Sequence, residues 1–263
     1  MDLAEVPGVS FRRHPWEVAR ARFFRRVYDE AGLLSAPRTV LDVGAGDGYV
    51  ARTLAAALPV GSSVVCFDAH YSDPDLAQYT ATATTGLSFV RQQPTRRFDV
   101  LMLLDVLEHV PDDYAFLGDL VRENLAPGGS VVISVPAWQP LFSRHDEALK
   151  HYRRYSPAAC RALLAGAGLS VRESGGLFHS LLLPRLARAA TERLLRRLGR
   201  QPNAPTHLGE WRGGQALSSV LEGALAADNA VTHALRRMKW TLPGLSFWAA
   251  CKRSDEPTRG GSA

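Results

Sequence analysis

Cysteine is scarce in this chain: 263 residues hold three, Cys66, Cys160 and Cys251, far apart and never spaced C-x-x-C. An odd, scattered set offers neither a disulfide framework nor the ligand spacing of a structural zinc site, and it suits a reducing compartment. Long apolar runs are missing too. The strongest, around Leu181–Leu183, falls far short of the roughly 20 residues that cross a bilayer, so no transmembrane helix is expected. The opening MDLAEVPGVSFRRHPW has no basic start followed by an apolar core and does not read as a secretory signal. Charge of one sign is in short supply as well: 31 Lys and Arg stand against 26 Asp and Glu, a formal +5. Six arginines (185, 188, 193, 196, 197 and 200) against the single acid Glu192 place an excess of that size between Leu181 and Arg200. A local patch points to an acidic surface rather than to nucleic acid, and no nucleic-acid partner is expected.

What is there is an ordinary globular composition, 46% hydrophobic and 22% charged, long enough to bury a full core. It reads as one α/β domain with a sizeable appendage, cytoplasmic, with the inner membrane surface open to it through residues 181–200.

Short β-branched runs alternate with helical patterns. TVLDV (Thr39–Val43), Ser63–Asp68, Leu87–Val90, Asp99–Leu104, Ser130–Val135 and Leu169–Glu173 read as six strands, with LSFWAACKR (Leu245–Arg253) as a seventh. Helices are expected from Pro15 to Gly32, after Gly48 as far as Pro59, behind Asp112, and behind the Ser156-Pro157 pair. This order predicts a Rossmann-like α/β fold with helices on both faces of a largely parallel sheet. Ligands of such sheets sit beyond the carboxyl ends of the strands, where strand order reverses.

LDVGAGDGY puts Gly44, Gly46 and Gly48 in the turn after the first strand. Glycines there let the backbone turn tightly and approach a ligand. A dinucleotide fingerprint wants a further glycine where Tyr49 stands, and Asp42 at the strand end would repel a phosphate while suiting a ligand with an ammonium group and a sulfonium. A nicotinamide oxidoreductase is therefore disfavoured. Asp68, about twenty residues past the glycines, can accept both hydroxyls of a ribose.

Motif by motif the chain resembles the class I S-adenosylmethionine-dependent methyltransferases, over about Pro15–Leu177 and again Leu245–Arg253. LDVGAGDGY looks like that family's first motif, VVCFDAH its second, FDVLMLLDVLEHV its fourth, and LAPGGSVVISVP the turn into the fifth strand. The resemblance implies a seven-stranded, mostly parallel sheet whose last strand is antiparallel. It implies S-adenosylmethionine as cofactor, with S-adenosylhomocysteine as its product. The methionine part would lie against Asp42, Gly44 and Gly46 and the ribose against Asp68, with Ala45, Asp47 and Ala69 also among the cofactor-binding residues. Gln92 or Gln93 would lie near the adenine, where the family often carries Asp, and Asp105 and Val106 would close over the cofactor. Some quinone-pathway relatives bind a divalent ion at acids such as Asp105, Glu108 and His109; no metal ligand set is assigned here.

Methyl transfer needs alignment, exclusion of water and, for a hydroxyl acceptor, a base. Two clusters offer one. His109, in LLDVLEHVPDD, is one candidate, its competing role being structural. The other is FSRHDEALKHYRRYS (Phe142–Ser156), read as a charged loop in which His145 or His151 takes a proton while Arg153, Arg154 and Tyr155 hold an anionic acceptor. Its plain alternative is a solvated loop shaped by Arg–Asp pairs. The HDE…H-x-RRY string resembles an element of a family branch associated with envelope or lipid-linked sugar pathways. The acceptor is expected to be a small molecule or lipid-linked, methylated at oxygen, with nitrogen or carbon and a noncatalytic cofactor-binding protein as the alternatives. No N-P-P-Y-type motif of nucleic-acid methyltransferases follows strand four.

The division expected is 1–175 with 245–253 as the cofactor-binding domain, 176–244 as a helical insertion or lid, and 254–263 as a disordered tail. In the insertion Leu183, Ala187, Ala190, Leu194 and Leu198 form an apolar stripe among arginines. Either this is a lid or homodimer helix with its apolar stripe against the core, the favoured reading, or the stripe lies on anionic lipid. A second helix, about Ala216–Trp240, is expected to pack with it as the roof of the acceptor pocket.

Overall fold

The computed structural model describes residues 13–199, 211, 213–238 and 240–254. The loose N-terminal stretch before Arg13, the tail after Ser254 and most of the looser 201–214 stretch lie outside the described residues.

Seven strands, β1 (Thr39–Val43), β2 (Ser63–Phe67), β3 (Leu87–Val90), β4 (Phe98–Leu104), β5 (Leu125–Pro136), β6 (Leu169–Leu177) and β7 (Ser246–Arg253), form one sheet in the order β3-β2-β1-β4-β5-β7-β6. The first five are mutually parallel, and β7 slots antiparallel between β5 and β6. Alternation along each strand sorts the core into two layers. Val40, Val100, Met102, Val132 and Trp248 face α1 (Pro15–Glu30), α2 (Tyr49–Ala55) and α3 (Asp73–Ala81); Leu41, Leu101, Leu103, Val131 and Ile133 face α4 (Asp113–Asn124) and α6 (Pro157–Gly166). The expected fold class is the one observed.

Helix starts follow the caps. Asp112 accepts from Ala115 N (3.0 Å) and Ser156 from Ala159 N (3.1 Å), satisfying first-turn N–H groups. The sequence reading missed α3, although Ser72 and Asp75 form a reciprocal capping box behind its Pro74. It also missed α5 (Arg144–Ala148), a short helix inside the expected loop. The last parallel strand runs four residues further than expected, because Gly175 and Gly176 keep pairing with Trp248 and Phe247. A Cβ on Gly176 would strike the backbone of Gly244, so the two chain segments touch there with no room for a side chain.

The insertion carries α7 (Leu182–Arg197) and α8 (Gln215–Arg237). The favoured packing of the leucine stripe on the core does not occur: Leu183, Leu194 and Leu198 are 72%, 57% and 64% exposed, while Glu192 is 8% exposed. The inner face of α7 is its charged one, drawn in because acids wait there. Arg185 reaches Asp146 (2.9 Å) and Arg196 reaches Glu147 (2.9 Å), while Arg188 pairs with the buried carboxylate of Glu192 (3.1 Å). Nor does α8 roof over α7. It lies along α1, with Asn229 Nδ2 donating to the Ala19 carbonyl (3.0 Å) and His233 against Glu30 (3.0 Å).

Candidate active site

Strand order reverses at β1 and β4, whose carboxyl ends flank a crevice. On the β1 side the chain turns through Gly44, Gly46 and Gly48 at φ +65°, +54° and +71°, left-handed conformations that strain other residues. A Cβ on Gly44 would sit 2.9 Å from Val106, the residue expected to close this crevice from the β4 side. The turn is stitched to the end of β2. Gly44 and Ala45 donate to the Phe67 carbonyl (2.8 and 3.1 Å), Gly46 N donates to Asp68 Oδ2 (3.1 Å), and Tyr71 Oη donates to the Gly46 carbonyl (2.6 Å). Asp68 Oδ1 accepts from His70 N (3.0 Å), so two backbone amides aim its carboxylate and leave lone pairs over.

Asp42 is buried beneath this turn. Burial, with Asp68 and Asp47 nearby and Arg20 opposing, pushes its carboxyl up to about 7. Asp105, at the end of β4, is held at φ +58°. Its carboxylate accepts from Ser134 Oγ (2.9 Å) and pairs with Arg20 (2.9 Å), an arginine only 4% exposed on α1. Arg13, also from the N-terminal side, pairs with Asp47 and covers the Tyr49 ring at 3.9 Å. Arg13, Glu17, Arg20, Asp42, Gly44, Ala45, Asp47, Tyr49, Val50 and Leu104 line a cleft open to solvent. The sequence reading missed the α1 contribution. A signal was present: Arg20 follows Trp16 by four and precedes Phe23 by three, which puts a guanidinium inside the apolar stripe.

Ala69 lies exposed in the turn after β2. Gln92 is exposed beyond β3, whereas Gln93 donates to Asn124 Oδ1 (2.7 Å).

The second cluster is no solvated loop. Asp146, fully buried, accepts from Ser143 N (2.9 Å), Arg154 Nε (2.7 Å) and Arg185 (2.9 Å), and meets His151 Nδ1 at 3.1 Å. Burial works to raise its carboxyl, yet His151, Arg154 and Arg185 together hold it well below the usual range. His145 sits half-buried, and burial plus the Arg185 charge lower its imidazole to about 4, so it stays neutral. Arg153 is committed to Asp113 (2.9 Å) and the Pro111 carbonyl (2.5 Å), and Arg154 to Asp146 and the Ala137 carbonyl (3.2 Å). Tyr155 donates to Asp113 (2.6 Å). These three side chains brace the loop, so the expected anion grip has no unengaged guanidinium among them.

His151 stacks edge-on against His109, ring centres 4.5 Å apart. Beside them Glu108 is fully buried, and neither carboxylate oxygen has a hydrogen-bond partner among the described residues. Donor atoms of Glu108, His109 and His151 lie within 4.8 Å of one another, an arrangement that fits a divalent ion. Asp105, which the family resemblance places in such a set, is turned to Arg20 and Ser134 instead.

A family model described as "Methyltransferase domain" matches residues 12–174. The chain belongs to the class I S-adenosylmethionine-dependent methyltransferase family. A Mycolicibacterium smegmatis protein named for that same activity is 30% identical over 193 residues, 69% of each chain. A Mycobacterium avium methyltransferase of undetermined function is 32% identical over 132 residues, 49% of this chain; the matched region spans only 52% of that relative's length. In fold, a candidate sarcosine dimethylglycine methyltransferase from Galdieria sulphuraria superposes with a TM-score of 0.55 at 15% identity, over 91% of this chain and 87% of that one. The donor set of this methyltransferase-family chain fits the family's cofactor on chemistry. Asp42 and Asp68 can meet an ammonium and a ribose, Arg20 a carboxylate, and the glycine turn leaves the space for them free of side chains.

Proposed function

We propose that the protein transfers a methyl group from S-adenosylmethionine to the oxygen of a small-molecule or lipid-linked acceptor. The observation that carries this reading is the convergence of Asp42, Asp68 and Arg20 on the bare Gly44–Gly46 turn where strand order reverses. Bound S-adenosylmethionine supplies a methyl carbon already activated by a sulfonium.

Asp68 accepts the ribose hydroxyls, with Ala69 and Gln92 towards the adenine. Arg20 holds the methionine carboxylate, while Gly44, Ala45, Gly46 and Asp47 line the methionine part and Asp105 and Val106 close it off from water. His151 takes the acceptor's proton. Asp146 orients its Nδ1 side and stabilises the imidazolium that forms, the arrangement by which a carboxylate–histidine pair makes a general base. His145, its imidazole lowered to about 4, is a weak base. His109 packs against His151 and sets its ring plane. Glu108, His109 and His151 are the residues that would hold a divalent ion, and an ion there would occupy the imidazole that otherwise takes the proton.

Calorimetry tests the first half: S-adenosylhomocysteine binds and NADH does not. With an acceptor in hand, His151→Ala lowers turnover by about tenfold or more while leaving S-adenosylhomocysteine affinity unchanged. Cofactor binding without turnover on any hydroxyl acceptor would favour a nitrogen or carbon acceptor, or a noncatalytic binding protein.

A further inference from the structure

The outward stripe of α7 has no partner in the fold. Leu183, Leu186, Leu194 and Leu198 are 72%, 47%, 57% and 64% exposed, and Ala187 and Ala190 between them are exposed too. Their i, i+3, i+4 spacing sets them on one face. A helix normally turns such a face inward. Here the inward face is already spoken for by Arg185 on buried Asp146 and by buried Ala189 and Glu192, with half-exposed Arg196 on Glu147 at its edge.

Charge says what covers the stripe. Arg193 and Arg197 border it, both exposed. Arg193 donates to the neutral Pro140 carbonyl, and no carboxylate pairs with either among the described residues. A second copy docked on the same face would bring these guanidiniums against their own kind, which costs affinity. An anionic lipid surface answers both features, apolar depth for the leucines and phosphate for the arginines. A third feature agrees. His179, just ahead of α7, holds the Pro243 carbonyl at 2.8 Å, which brings the segment with exposed Trp240 (66%) and Leu242 (43%) beside the start of the helix. Tryptophan is the side chain most at home at a membrane–water boundary. No described helix is long and apolar enough to cross a membrane, so the contact is an in-plane one.

We infer that α7 docks this protein on an anionic bilayer surface, its leucine stripe in the headgroup–acyl boundary and Arg193 and Arg197 on lipid phosphates. The docking stands independently of methyl transfer. One consequence rests on that reading: because Arg185 and Arg196 fasten the inner face of α7 to the loop that carries His151, docking presents the acceptor loop to a lipid-anchored substrate.

The test is flotation of the full chain with phosphatidylcholine vesicles made with and without phosphatidylglycerol. Co-flotation with the anionic vesicles is expected at least about tenfold above the neutral ones, weakening with salt. The Leu186→Glu/Leu194→Glu double variant is expected to stay in solution, and Arg193→Ala/Arg197→Ala to lose the preference for anionic lipid. S-adenosylhomocysteine calorimetry on each variant confirms folding, and keeps a failure of docking distinct from a failure of cofactor binding. No co-flotation of the parent protein overturns the inference, as does equal flotation of the leucine variant. Light scattering that shows a dimer split by the same leucine changes would overturn it too, assigning the stripe to a second copy.

Discussion

The glycine turn and the Phe142–Ser156 loop lie at the same end of one sheet but are built by opposite means. The turn is nearly all backbone: three glycines in left-handed conformations, their amides bonded to β2, with carboxylates aimed in from the strand ends. The loop is nearly all side chain: one buried carboxylate, Asp146, gathers His151, Arg154, Arg185 and Ser143. A backbone site depends on conformations that few residues allow, so it is written in a short motif. A side-chain hub depends on which groups meet, so its string of residues is visible while its pairing, and the arrival of Arg185 from α7, is not.

The sharpest way to break the comparison is at the hub. Asp146→Ala should strand two buried arginines and cost about 3–5 kcal/mol, seen as a lower midpoint in urea with an unchanged slope. Since the carboxyl of Asp146 is depressed in the fold, its stabilisation is complete above the ordinary carboxylate range and fades as pH falls below it; the wild-type and alanine curves should converge in acid. Next is the turn. Asp68→Ala should weaken S-adenosylhomocysteine by about 100-fold, since two hydrogen bonds to a charged group are lost, with far less effect on the urea midpoint than the Asp146 change. A third sharpens the acceptor side: zinc should inhibit turnover by filling the imidazole of His151, with relief by a chelator and by His109→Ala. Activation by zinc would remove His151 as the base.

The smallest effect concerns Asp42. Its carboxyl is raised to about 7, so the folded state holds a proton that the unfolded chain gives up, and this group's contribution to stability falls as pH climbs from about 4 to 7. Asp42→Asn should therefore raise Tm by several degrees at pH 8, leave it unchanged near pH 4, and still weaken S-adenosylmethionine more than its product, which lacks the sulfonium charge. Equal loss of both ligands would break the charge argument.

Much of the sheet was readable because β1, β2 and β5 are compact β-branched runs closed by glycine, aspartate or proline, and β1 and β3 match residue for residue. Strand ends were less so: β6 passes through Gly175 and Gly176, residues that locally signal a turn and are kept in the sheet by β7. On the site side, the glycine motif pointed to the crevice at the strand reversal, whereas Arg20 was hidden in a helix pattern whose apolar neighbours drew the eye. The orientation of α7 was not readable at all. Periodicity shows that a helix has two faces; which one turns inward was decided by Asp146 and Glu147, some forty residues upstream.

The touching backbones of Gly176 and Gly244 carry a consequence for how such a protein can change over time. They bring the exit and the return of the 178–243 excursion to one point at the rim of the sheet, like the base of a handle. Whatever hangs from that base can grow, shrink or be exchanged without altering strand pairing below. Cofactor handling and partner choice are thereby free to evolve at different speeds within one chain.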